Sequence, residues 1–131
     1  MKQGFLFSLG VLALTLNGCD EDEAPELVNS WHLIEVLADP GDGSGQFEPV
    51  DSDKTIEFFA DGTLMSNGFL CQMNPSTEVG STATYSSAEM AITPDNCGVS
   101  AFVITYVMEG ENLILNYPCF EACREKYELV D

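Results

Sequence analysis

His32 is the only histidine in the chain, so a serine or cysteine nucleophile would have no other imidazole to act as its general base. The sequence also lacks Gly-x-Ser-x-Gly, the turn that presents the nucleophile in many hydrolases. In the alternating pattern around it, His32 falls on the face opposite Trp31 and Leu33. We therefore expect His32 on the outside of the domain and predict neither an enzyme nor a cofactor.

The glycine-rich stretch 38–48 contains several carboxylates, and Asp51 and Asp53 follow it. Such oxygen ligands suit a hard cation such as Ca²⁺. Their spacing does not match the EF-hand loop, which has defined ligand positions and a single central glycine. We therefore interpret the stretch as a flexible lid at the rim of the domain and predict no metal site.

The first 18 residues have the organisation of a secretory signal peptide. Lys2 gives a basic start, and residues 4–16 are mainly apolar but shorter than the roughly 20 residues of a spanning helix. Residues 16–19, Leu-Asn-Gly-Cys, resemble the lipobox of bacterial lipoproteins. This resemblance implies that residues 1–18 are removed and that Cys19 becomes a lipidated N-terminus. The alternative is an ordinary signal peptide whose cysteine joins a disulfide.

The chain is strongly acidic, with 22 Asp and Glu against 4 Lys and Arg and a net charge of −18. Loss of Lys2 with the signal peptide makes the mature charge −19. Because nucleic-acid binding needs a basic face, this balance excludes it. Residues 19–26 form an acidic tether, whose start resembles the signal that directs some Gram-negative lipoproteins to the cell surface; a solvated spacer is the alternative. We expect an outer membrane lipoprotein that faces the periplasm or the cell exterior.

Export would place the other four cysteines in an oxidising compartment, where disulfides persist. Four cysteines allow three pairings. Cys119 and Cys123 span a turn between two strand-like runs, so a short local bridge is geometrically reasonable and leaves Cys71 to pair with Cys97. A zinc site is the alternative, but these spacings contain no Cys-x-x-Cys pair.

From residue 27 onward the chain alternates apolar and polar residues in short runs, and no helical apolar stripe exceeds a turn or two. Tight turns at 61–62, 86–89 and 109–112 make sequential strands antiparallel. Eight such strands close as a barrel or fold as a sandwich, and closure removes exposed edges. We therefore predict an all-β, eight-stranded up-and-down antiparallel barrel. Its strands are expected at 31–37, 54–59, 63–67, 82–86, 90–93, 101–108, 113–117 and 124–130.

This pattern resembles the lipocalin-like domain of small bacterial lipoproteins. Trp31 stands where the lipocalin Gly-x-Trp signature has its tryptophan. The resemblance covers most of residues 27–131 and implies a calycin-type β-barrel; it indicates a fold more strongly than an activity. The similar segments are 29–36, 56–63, 113–117 and 126–129.

Alternation starting from Trp31 selects one large apolar and aromatic face. Glu35 and Tyr106 are the polar groups that could orient a ligand within it. Two alternatives stay open, namely that these side chains only fill the barrel and that Glu35 sits at a bulge facing water. The residues expected to line the pocket are Trp31, Leu33, Glu35, Ile56, Phe58, Phe102, Ile104, Tyr106, Leu113, Leu115 and Tyr127.

Two functions fit these observations. The first is binding of a small hydrophobic or amphipathic ligand inside a lipid-anchored barrel, because an eight-stranded barrel can hold one small ligand. The second is binding of a basic protein partner by the acidic surface. The small lipoprotein inhibitors of lysozyme have a similar architecture and charge. An open apolar lumen favours the first function, and a filled core favours the second.

Overall fold

The computed structural model describes residues 26–131. The predicted signal peptide, Cys19 and all but the last residue of the acidic tether lie outside the described residues. The regular structure from residue 26 onward is β, and no helix there is long and apolar enough to cross a membrane. The strands are β1 Ser30–Ala38, β2 Glu48–Pro49, β3 Thr55–Phe58, β4 Thr63–Ser66, β5 Ser81–Ser86, β6 Ala91–Pro94, β7 Ile104–Glu109, β8 Asn112–Asn116 and β9 Cys123–Leu129.

The strands form one antiparallel sheet that closes when β1 pairs with β9. From β3 to β9 each strand pairs with its neighbour in sequence, so the predicted eight-stranded up-and-down barrel is confirmed. The two-residue β2 is an addition. It pairs with β1 at Glu35 and Val36, along the same edge that β3 uses nearer the start of β1.

All eight predicted strands are present, with ends that differ by at most three residues. The largest difference concerns the predicted strand 101–108, which begins only at Ile104. Ala101 has a φ of 62°, a left-handed conformation that a strand ladder does not accommodate. A short irregular segment therefore precedes β7.

The two ends of the barrel differ in the length of their connections. One end, which we call the hairpin end, carries the tight turns 59–62, 87–90 and 110–111. The chain also enters β1 and leaves β9 there, where the Val130 amide donates to the Ser30 carbonyl over 2.9 Å. The opposite end, which we call the loop end, carries the longer loops 39–47, 67–80, 95–103 and 117–122.

Both predicted disulfides are confirmed, and both lie at the loop end. The bridge between Cys71 and Cys97 joins loop 67–80 to loop 95–103. The bridge between Cys119 and Cys123 closes the turn that leads from β8 into β9. Covalent links therefore restrain three of the four long loops, whereas the hairpin end depends on turn residues such as Gly62, which has a φ of 88°.

The barrel interior holds one hydrophobic core built from alternate residues of the strands. Phe58 packs edge-to-face against Tyr85, with ring centroids 5.1 Å apart, and also against Tyr106. The core cluster consists of Trp31, Leu33, Ile56, Phe58, Leu64, Leu70, Ala83, Ile92, Ile104, Tyr106, Leu113, Leu115, Tyr117 and Tyr127.

Candidate functional site

Ten of the eleven residues expected to line a pocket are brought together in the barrel. Nine of them are buried members of the core cluster, and Phe102 packs against it from a partly buried position. Trp31 is fully buried, and its indole nitrogen donates to the Leu27 carbonyl over 3.0 Å. The predicted face is therefore a packed interior of mutually contacting side chains.

Glu35 is the exception, because it does not share the face of Trp31 but takes the alternative position, at a bulge on the outer surface. The pairing of β1 with β9 shifts between Leu33 and Glu35, which marks a β-bulge. After the bulge Glu35 lies opposite Lys126, and its Oε2 is 2.8 Å from the Lys126 ammonium nitrogen. The two side chains are about one-quarter exposed, so the carboxylate belongs to the outer surface.

His32 is on the outer face of β1, as its position in the alternation predicts. Its side chain is 37% exposed. The ring Nε2 lies 2.6 Å from the Ser52 carbonyl oxygen, and Nδ1 lies 3.7 Å from a carboxylate oxygen of Glu128. These contacts attach the outer face of β1 to its neighbours, and no serine or cysteine nucleophile is among them.

An ion pair between Lys54 and Glu125 lies inside the barrel, and both side chains are fully buried. The Lys54 Nζ is 3.1 and 3.2 Å from the two carboxylate oxygens of Glu125. It also donates to the carbonyls of Phe69, over 2.9 Å, and Asn74, over 2.8 Å. The ammonium is therefore bound by one carboxylate and two carbonyls, and a buried charge requires such partners.

Two tyrosines complete this buried polar cluster. The Tyr127 hydroxyl donates to Glu125 Oε2 over 2.9 Å. The Tyr117 ring centroid lies 6.0 Å from the Lys54 Nζ, and the Tyr117 hydroxyl makes no hydrogen bond with any residue from 26 to 131. Burial, with a smaller contribution from the Glu125 charge, raises the pKa of both phenols well above 10. Both phenols are neutral at physiological pH.

Burial shifts the pKa of Lys54 downwards, whereas it shifts the pKa of the two tyrosines upwards. Desolvation lowers the pKa of its ammonium, while the charge and hydrogen bonds of Glu125 raise it again in part. The favourable contacts of the ammonium thus come from one carboxylate and two carbonyls. Removal of any one of these partners would leave a buried charge with fewer contacts.

Loop 67–80 closes the barrel beside this cluster. Leu70 is fully buried in the core, and Met73 packs against it. The amide of Leu70 donates to the Ser81 hydroxyl over 3.0 Å. A Cβ at Gly68 would lie 2.7 Å from carbons of the Lys54 side chain, so only glycine permits this approach of the loop. The Lys54 ammonium holds the loop by donating to the carbonyls of Phe69 and Asn74, and the loop fills the mouth of the barrel.

Sequence reasoning missed Lys54, Leu70 and Glu125. For two of them the alternating pattern was a usable signal. Lys54 lies two residues before Ile56 and so shares the inward face of Ile56 and Phe58, and Glu125 shares the inward face of Tyr127. Leu70 lies in a loop, where no periodicity marks a buried position.

The acidic stretch 38–48 is folded around Asp39. One oxygen of its carboxylate accepts the amides of Gly41, Asp42 and Gly43, and the other accepts the amide of Gly45. These hydrogen bonds lower the pKa of Asp39, whose carboxylate faces the loop's own backbone. From residue 26 to 131 the structure contains no group of three or more His, Cys, Asp or Glu side chains that could hold a metal ion.

An outer groove lies where β4 and β5 meet loop 67–80. It has a volume of about 510 Å³, and Met65, Phe69 and Val79 supply its apolar surface. A smaller cavity of about 140 Å³ adjoins it and shares Phe69 and Val79. Asp95 lies on the rim of the larger cavity and Glu78 on that of the smaller one. We call the two cavities together the β4–β5 groove.

Comparison of this chain with protein-family models, with curated proteins and with solved structures finds no match.

Replacement of Lys54 with Met should lower the free energy of unfolding by about 3 to 5 kcal/mol at pH 7, because it leaves the Glu125 carboxylate buried without its cation. Lys126→Met is the matched control. It breaks a partly exposed pair with Glu35 and should cost only about 0 to 1 kcal/mol. Urea denaturation of both variants and the parent protein measures the difference.

The loss in Lys54→Met should come mainly from the carboxylate of Glu125, which stays buried after its cation is removed. The added substitution Glu125→Gln should recover much of the loss at pH 7. Equal losses in Lys54→Met and Lys126→Met would contradict the assignment.

Proposed function

We propose that this protein is an exported, lipid-anchored binding protein, rather than an enzyme, and that its acidic surface binds a cationic protein partner. The observation that carries the proposal is the contrast between interior and surface. The side chains that could have lined a ligand pocket pack against one another, and loop 67–80 fills the mouth of the barrel. We therefore expect a partner to contact the outer surface of the barrel.

The charge of that outside supports a cationic partner. Residues 26–131 contain 18 of the 22 carboxylates and three of the four Lys and Arg residues. Two of these three cations have carboxylate partners, since Lys54 pairs with Glu125 in the interior and Lys126 pairs with Glu35. The third, Arg124, is exposed at the loop end. A surface of this kind produces a strongly negative field, which speeds the approach of a basic protein and excludes acidic ones.

The anchor belongs to the same proposal. The apolar N-terminal stretch and the Leu-Asn-Gly-Cys sequence support lipidation of Cys19, and the lipocalin-like resemblance supports the same class of small lipoprotein. Two disulfides at the loop end fit an oxidising compartment. We propose that the protein is held at the outer membrane, where two or three acyl chains give stable attachment.

Cys19→Ala should move the protein from the membrane fraction to the soluble fraction and abolish incorporation of radiolabelled fatty acid, because the lipid is attached to this side chain. The double variant Cys71→Ala with Cys97→Ala is the control and should keep its label. Cys19→Ala that stays membrane-bound with undiminished label would refute the anchor.

Partner binding is tested with the mature chain carrying Cys19→Ala, immobilised and exposed to the extracytoplasmic proteins of the cells that make it. We expect retention of a protein with a large excess of Lys and Arg. Release should follow as salt rises towards about 1 M, where the Debye length falls to about 3 Å. Retention of neutral or acidic proteins alone, or of none, would contradict a cationic partner.

The β4–β5 groove favours a second candidate function, the binding of a small hydrophobic or amphipathic ligand. Its apolar residues Met65 and Val79 are 49% and 58% exposed, and its volume suits a small molecule. A neutral naphthylamine probe should then show saturable emission that Val79→Asp abolishes, while the emission of the buried Trp31 stays constant. The exposed Val107→Asp on β7 is the control and should leave the probe bound. Absence of saturable emission would exclude this candidate.

A further inference from the structure

We propose that the disulfide-closed loop 118–122 is the docking point for the cationic partner, and that Phe120 inserts into an apolar pocket of that partner. This inference deepens the proposed function and rests on it. Its partner is a protein with an apolar pocket bordered by Lys and Arg side chains.

The exposure of Phe120 is the first observation. Phe120 reaches 108% of the reference area of the residue, so its phenyl ring stands free of the protein, whereas the next most exposed large hydrophobic residue between 26 and 131, Val99, reaches 63%. Singly exposed hydrophobic residues are common on protein surfaces, and exposure alone indicates little. The surroundings of this ring decide what it can do.

The second observation is that the loop is rigid. The disulfide between Cys119 and Cys123 closes it on itself. The Tyr117 amide donates to the Cys123 carbonyl, and the Asp39 amide donates to the Ala122 carbonyl, each over 2.9 Å. A side chain presented on a restrained loop loses less conformational entropy on binding than one on a free loop, so the affinity per contact is higher.

The third observation is the charge beside the ring. Glu121 follows Phe120, and its carboxylate lies against the backbone of Gly41 in the neighbouring acidic loop. Asp42 in that loop is also exposed, and Arg124 is the nearest cation in sequence. An aromatic anchor with carboxylates next to it is complementary to an apolar pocket with a basic border, since interface anchors are aromatic and the surrounding polar groups select the partner.

The position of the loop favours a protein over a lipid surface. Loop 118–122 lies at the loop end, whereas the chain enters the barrel at the hairpin end, where Ser30 begins β1. A lipid anchor preceding residue 26 would therefore attach to the end opposite Phe120. The phenyl ring therefore lies at the end of the barrel opposite the point where the chain enters.

Photo-crosslinking in the cells that make the protein tests the docking point. Phe120→p-benzoylphenylalanine in the full chain should form an adduct with a basic protein on irradiation. The same photoreactive residue at Met90, which is 40% exposed at the hairpin end, should not form that adduct. A phospholipid adduct at position 120, equal adducts at both positions, or no adduct at position 120 would overturn the proposal.

Affinity for the crosslinked protein gives the second measurement. Phe120→Ala should weaken binding about tenfold or more, as for aromatic interface anchors. Val99→Ala at the same end should change it less than about twofold, as for most interface side chains. Phe120→Ala should keep the melting temperature of the parent, because the ring contacts nothing in the fold. Cys119→Ser with Cys123→Ser should give an intermediate loss of affinity.

The outcomes separate the two proposals. If Phe120→Ala binds the basic partner as tightly as the parent does, and binding is still weakened by salt, the cationic partner stands and the docking point is refuted. If the parent chain retains no basic protein, the proposed function itself fails and this inference fails with it.

Discussion

The buried ion pair between Lys54 and Glu125 is the interaction on which the rest of the structure depends. It joins the residue preceding β3 to the middle of β9, and through the carbonyls of Phe69 and Asn74 it also holds loop 67–80. Removing two charges from water costs several kcal/mol for each ion, which only complete hydrogen bonding can offset. Both oxygens of Glu125 contact the ammonium, and the Tyr127 hydroxyl adds a third contact. Such a network has one satisfied geometry, so it fixes how the loop enters the barrel.

This arrangement decides what the barrel offers to other molecules. With Leu70 inserted and the predicted lining packed together, the interior stabilises the fold, as the close-packed core of a small domain does. The long connections and both disulfides lie at the loop end, while the chain enters at the other. A carboxylate-rich surface with few free cations surrounds both ends. These constraints support the proposed recognition of a cationic partner at the surface, for which electrostatic attraction would supply rate and selectivity.

The fold was largely predictable from the sequence, because alternation from Trp31 and the turns at Gly62 and Gly110 report the strand period directly. The interior was predictable only for apolar residues. Lys54 and Glu125 occupy inward positions of the same alternation, but a charged residue is read as outward unless its partner is known, and this partner lies 71 residues away. Glu35 was a different case, since alternation alone places it beside Trp31, whereas the alternative of a bulge that turns it towards water is what the structure contains. The burial of Leu70 and the exposure of Phe120 are set by loop conformations, which no periodic sequence pattern indicates.

In the native protein, loop 67–80 keeps the mouth of the barrel closed. Amide hydrogen exchange of the native protein tests it most directly at Gly68, whose amide donates to the Ser66 hydroxyl, and at Leu70, whose amide donates to the Ser81 hydroxyl. If the Lys54 contacts hold the loop, both amides exchange only through global unfolding, at the opening free energy of the core amide of Leu33. Exchange at residues 68 and 70 through a separate opening of much lower free energy, with Leu33 still protected, would mean that the mouth opens in the native state, and would contradict the claim.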